Sequence, residues 1–183
     1  MAGPLAPKLT LARTVATLSR LRGGGATSAP GKVLLALDSD AIGSLGARLR
    51  EGSVLVSATN GKTTTAALAA SVFEHAGIAL VHNAAGANMA GGVATSLLNA
   101  AQGRGRIAGD LGLFEVDELW LDRLAAQLEP RAILLGNLFR DQLDRYGELE
   151  TIADRWAAMV SALPAAARLQ CNADDPLVAD LGR

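Results

Sequence analysis

Apolar positions along the chain recur with two periods. Leu11, Val15 and Leu18 return at helical spacing, with Arg13, Arg20 and Arg22 on other faces, which predicts a short amphipathic helix closed by Gly23-Gly24-Gly25. A loop follows to Pro30-Gly31, and the run Val33–Leu37 predicts a strand. Asp38 or Asp40 is placed to cap a helix carrying Ile42, Leu45 and Leu49. From residue 53 the alternation becomes regular. Val54–Val56 predicts a strand, Thr63–Ala76 a helix stopped by Gly77, Ile78–Val81 a strand and Gly92–Ala101 a helix. A basic turn at 103–106 precedes the strand Leu111–Val116, and Leu119–Leu128 is a helix broken by Pro130. Ile133–Leu135 predicts a strand, Leu149–Leu163 a helix stopped by Pro164, and Arg168–Cys171 a last strand.

Strands alternating with helices imply crossover units, hence an α/β fold with a mainly parallel sheet flanked by helices. The division expected is an N-terminal helix and Gly-rich leader over 1–31, then a single domain over 32–183. In such sheets ligands bind beyond the carboxyl ends of the strands, and the polar residues of this chain gather just there.

Composition narrows the field. Aromatic residues make up 3% of the chain while half of it is hydrophobic, so the core is built from Ala, Leu and Val. Seventeen basic against 18 acidic residues give no reason to expect nucleic acid or an anionic membrane as partner. The single cysteine, Cys171, excludes an internal disulfide framework or a Cys-based zinc site within this chain. No apolar run approaches the roughly 20 residues of a membrane helix, and a cytoplasmic location is expected.

The segment Ala58-Thr59-Asn60-Gly61-Lys62-Thr63-Thr64 ends a strand and opens a helix. Unpaired N–H groups and the positive end of the helix dipole suit a phosphate there. Gly61 allows close approach, Lys62 meets the terminal phosphates and Thr63 is placed to ligate Mg²⁺. The alternative is a plain strand–helix turn with a solvated lysine. Glu115, at the end of the Leu111–Val116 strand, suits a hard cation shared with a nucleotide. Asp117 and Glu118 read as the start of the following helix, favouring its dipole. The polar segment 136–147, the loop 82–89 and the Asn172–Pro176 turn each follow a strand; the last is read equally as an Asp-capped turn or as a nucleotide-side element.

Thr-Asn-Gly-Lys-Thr-Thr at 59–64 resembles the phosphate loop of the central ATP-binding domain of the Mur ligase family, with Ala58 where that family usually has glycine. Asn137 through Gly147 resembles the family's Asn…Asp-His-Leu-Asp-x-His-Gly segment, with Gln142 and Tyr146 in place of its histidines. That form, together with His82–Met89, is similar to one branch, the MurT-type subunits of lipid II isoglutaminyl synthase. The resemblance implies ATP and Mg²⁺ as cofactors, with 58–64 on the nucleotide and Thr63, Glu115 and Gln142 on metal. His82, Asn83, Asn88, Asn137 and Asp141 would line the space toward the acceptor. It implies an ATP-dependent carbon–nitrogen ligase that activates the α-carboxylate of the D-glutamate of lipid II as an acyl phosphate, for amidation to isoglutamine. A GatD-like glutamine amidotransferase would be the partner. It also implies an N-terminal fragment incomplete at its C-terminus and inactive alone, the zinc ribbon and catalytic aspartate of that branch lying beyond Arg183. The alternatives are an amino-acid-adding Mur ligase or folylpolyglutamate synthetase relative, and a nucleotide-binding module without catalysis.

Overall fold

The computed structural model describes residues 7–14, 28–83, 86–103, 106–139 and 148–183. In chain order the elements are α1 (7–14), α2 (Ala29–Leu37), α3 (Ala41–Gly46), β1 (Ser53–Ser57), α4 (Lys62–His75), β2 (Leu80–His82) and α5 (Ala90–Ala100). A small antiparallel hairpin follows, β3 (Ala101–Gln102) and β4 (Arg106–Ile107). Then come β5 (Leu111–Glu115), α6 (Leu121–Leu128), β6 (Ala132–Leu135), α7 (Glu148–Ser161), β7 (Arg168–Cys171) and α8 (Pro176–Asp180).

Five strands pair in the order β2-β5-β1-β6-β7, every pair parallel. The order explains the layering. Crossovers are right-handed, so the direction of each step decides which face its helix covers. Only β1→β2 steps toward the β2 edge; β2→β5, β5→β6 and β6→β7 all step the other way. Accordingly α4 is the helix that covers one face among the described residues, where Ala66, Ala69, Ala70 and Phe73 pack on Val54, Val56, Leu80, Leu113 and Leu134. The other face carries the main core, with Leu55, Phe114 and Ile133 beneath α3, α5, α6 and α7, and Trp156 as its largest fully buried side chain.

Two expectations are corrected. Val33–Leu37 is the second half of helix α2, not a strand. A five-residue apolar run fits either state, and here tertiary contact decides. Gly31 lies so close to α5 that an added Cβ would stand 2.0 Å from the Gly91 carbonyl oxygen, and its N–H donates to Thr95 Oγ1 at 2.9 Å. Gly31 is therefore a helix-packing residue, and Leu9 and Ala12 of α1 belong to the same core as Leu34. Helix α2 runs unbroken through residues 31 and 32. The second correction is α8, whose start is read in the sequence only as a turn. The expected triple-glycine stop at 23–25 lies outside the described residues.

Gly31→Ala should lower stability by about 1–3 kcal/mol, the usual cost of overpacking. In a chain of this size each kcal/mol lowers the melting temperature by about 2–4 °C. A thermal melt followed by circular dichroism tests it; an unshifted midpoint would contradict the tight α2–α5 contact.

Candidate functional site

Connections leave the neighbouring strands β1 and β5 toward opposite faces, α4 above and α6 below, and a crevice opens between their carboxyl ends. Val56 stands beside Glu115 in the β1–β5 register, so the loop after β1 and the acid ending β5 arrive together.

Gly61 is the N-cap of α4 with φ 80°, a left-handed conformation glycine adopts without strain. Among the described residues nothing accepts the N–H groups of Gly61, Lys62, Thr63 or Thr64. Four outward donors at the positive end of a 14-residue helix form an anion cradle. The Asn60 N–H, expected to join them, is already taken by Asn137 Oδ1 at 2.9 Å. The lysine does not reach into solvent. Its ammonium donates to Ala58 O at 2.9 Å and Thr59 O at 3.2 Å, and pairs with Glu118 Oε2 at 3.3 Å. The Ala58 methyl is buried and faces Gly136, where a Cβ would come 2.8 Å from it, so it does not obstruct the loop's open side.

Glu118 departs from the helix-start role its sequence position predicts. It does not start helix α6, which begins at Leu121 with Trp120 as N-cap. Asp117 instead closes the preceding turn, its Oδ1 accepting from Leu119 N at 3.0 Å. Glu118 is held by α7, where Trp156 Nε1 donates to its carbonyl at 3.1 Å, while Arg155 bonds Asp122 and the Leu119 carbonyl. Nothing local in the sequence signals a partner 56 residues away.

Glu115 is 2% exposed, and its carboxylate has no hydrogen-bond partner among the described residues. Leu111, Leu113 and Glu115 alternate onto the face that carries α4. A nearly buried carboxylate without donors among the described residues, on the sheet face that carries α4, is chemically suited to a hard divalent cation. No cluster of three or more His, Cys, Asp or Glu side chains suited to a metal exists among the described residues.

The acceptor-side expectations divide. Asn83 is 1% exposed and spends its amide on backbone: Nδ2 donates to Ala87 O and Glu115 O at 2.9 and 2.8 Å, and Oδ1 accepts from Glu115 N at 2.9 Å. It extends the ladder past β2 and fixes Glu115 instead of facing a ligand. Asn137 is likewise engaged, bonding both the N–H and the carbonyl of Asn60 at 2.9 and 3.0 Å. Its own carbonyl accepts from Thr59 N at 2.9 Å, and Phe139 N donates to Thr59 Oγ1 at 3.1 Å. His82 is exposed, and its Nδ1–H donates to the Leu113 carbonyl at 2.7 Å. Asn88 is half-buried, with no side-chain hydrogen bond among the described residues. Asp141 and Gln142 lie outside the described residues.

A cavity of about 280 Å³ flanks the loop on the β6–β7 side, lined by Asn60, Lys62, Asn137, Gln170 and Cys171 among others. Burial pushes the Cys171 thiol up, which favours its protonated form. A larger cavity of about 640 Å³, bordered by Arg50, Asp110, Arg131 and Arg168, lies at the amino ends of the strands. Ligands of parallel sheets bind at the other end, so the smaller cavity belongs to the site. No helix among the described residues is long and apolar enough to cross a membrane.

A parallel sheet with an anion cradle after its central strand and a buried acid on the next defines a nucleotide-binding domain of the phosphate-loop type. The Mur ligase middle domain matches residues 56–182, and the chain belongs to the Mur ligase family. It is similar to the MurT subunit of lipid II isoglutaminyl synthase (glutamine-hydrolyzing) from Staphylococcus aureus strain N315. The two are 33% identical over 171 residues, covering 93% of this chain and 38% of the relative. The corresponding MurT subunit of Streptococcus pneumoniae is 36% identical over 160 residues, covering 87% of this chain and 34% of the relative. The chain thus spans little more than a third of the length of these relatives. Among solved structures, the MurF ligase of Thermotoga maritima in complex with ADP shares the fold. Its TM-score is 0.63 at 19% identity, over 78% of this chain and 33% of that one.

Proposed function

We propose that this chain is the ATP-binding portion of an amidating ligase. The substrate would be the lipid II stem peptide, whose D-glutamate α-carboxylate takes the γ-phosphoryl group of ATP. Ammonia would then displace phosphate from the acyl phosphate to give isoglutamine, supplied by a GatD-like glutamine amidotransferase subunit. The observation that carries this reading is the set of four N–H groups beside Lys62 that have no partner among the described residues, at the same strand ends as the nearly buried Glu115. The likeness to MurT subunits supports the choice of branch.

In this reading the amides of Gly61–Thr64 and the Lys62 ammonium hold the phosphates, while Thr63 and Glu115 hold Mg²⁺. When bound, the cation neutralises charge on the phosphate oxygens. The protein supplies position and a preformed field, which is most of what phosphoryl transfer requires. Gln142 is the proposed further metal ligand through its carbonyl. Asp141, His82 and Asn88 are proposed on the acceptor side, with Asn83 and Asn137 supporting them from behind.

Titration calorimetry with Mg·ATP tests the nucleotide part. A saturable heat is expected, and its absence from folded protein would overturn the proposal. A second reading, an amino-acid-adding ligase, draws on the 33% identity to UDP-N-acetylmuramate–L-alanine ligase of Thermobifida fusca over 67% of this chain. The two separate in the complete enzyme: ammonia stimulates ADP release in the first, an amino acid in the second.

A further inference from the structure

Asp175 divides its carboxylate between two elements. Oδ1 accepts from Leu177 N at 3.0 Å and Val178 N at 3.1 Å, closing the first turn of α8. Oδ2 accepts from Leu138 N at 2.8 Å. Capping a helix takes one side-chain oxygen, which serine or asparagine also provides. The second oxygen is spent on the connection after β6, and that connection is the strap holding the phosphate loop. Asn137 and Phe139 bond Asn60 and Thr59, and Leu138 between them is tied to Asp175. Both Leu138 and Asp175 are buried, at 3% and 5% exposure, so the tie is shielded from water. Without it the Leu138 N–H is orphaned in the interior, a state a backbone donor leaves by shifting toward a partner. Any shift of Leu138 moves its neighbour Asn137 out of register with Asn60.

We infer that Asp175 is a positioning residue for nucleotide binding, acting through Leu138 and Asn137 to keep the loop's amides aimed outward. It touches no ligand. The inference rests on the ATP-binding reading above and adds a residue to it from the far side of β6.

The test pairs site-resolved amide exchange, measured without nucleotide, with Mg·ATP titration of the purified protein. Asp175→Ser keeps a capping oxygen and removes the tie. The Asn60 and Leu138 amides should exchange about tenfold faster, and Mg·ATP should bind about tenfold more weakly, the scale of one lost hydrogen bond to a charged group. The Val178 amide should keep its protection, which a general loosening of α8 would not allow. Asp175→Asn, nearly isosteric, provides the same comparison if the serine variant does not fold. Unchanged Asn60 exchange, or faster exchange at unchanged affinity, overturns the inference and leaves the ATP reading standing. A wild-type protein that takes up no Mg·ATP overturns both.

Discussion

Lys62→Ala is expected to abolish Mg·ATP binding while leaving the fold in place. The ammonium is held beside the loop by the Ala58 and Thr59 carbonyls and by Glu118. Charge-assisted hydrogen bonds to phosphate contribute about 1.5–3 kcal/mol each. Two of them lost amount to a weakening of about a hundredfold or more. The cost to stability is smaller. Lys62 and Glu118 are each 15% exposed, and leaving Glu118 and the two carbonyls without this donor costs about 1–3 kcal/mol. Calorimetry and a thermal melt on the same sample check both halves. Retained affinity would mean that 58–64 is merely a turn between strand and helix.

Glu115→Gln should separate metal from nucleotide. In the native chain a carboxylate with no donor among the described residues sits at 2% exposure, an arrangement that costs free energy without a counter-charge. The amide removes the charge and keeps the shape. The variant should therefore be at least as stable as wild type in magnesium-free buffer, and should gain less from added Mg·ATP. Removing one partner of a buried ion pair typically costs about 3–5 kcal/mol, so affinity for the magnesium complex should fall by about a hundredfold or more. Affinity for ATP in EDTA should change little. Melting curves and titrations with and without magnesium give the four numbers required. An equal loss in both buffers would show that Glu115 does not serve the cation.

What could be read in the sequence was the part fixed by local pattern. The strand-to-helix handover at Ser57–Lys62, the stop at Gly77 and the acid ending β5 follow from apolar runs, a left-handed glycine and strand alternation. Helix α2 escaped because its state is settled by the bare backbone of Gly91 opposite Gly31, 60 residues on. At the site, residue types were legible but their obligations were not. Asn83 and Asn137 look like amides offered to a ligand, yet both are consumed by main chain, at Glu115 and Asn60. Glu118 looks like a helix-start acid, yet it faces a lysine from a different crossover unit. Each of these pairings joins segments tens of residues apart, which no periodicity encodes.

The light burial of α4 has a consequence for how occupancy is felt. Helix α4 fully buries only Ala66, and Leu68 and Val72 stand 66% and 68% exposed. The element that presents the amides therefore rests on the sheet through one side of the helix, with two large apolar side chains left outside. A guest seated at its first turn doubles as a rivet, pinning that end to the strands beneath, so filling the crevice and stiffening the helix are one thermodynamic event.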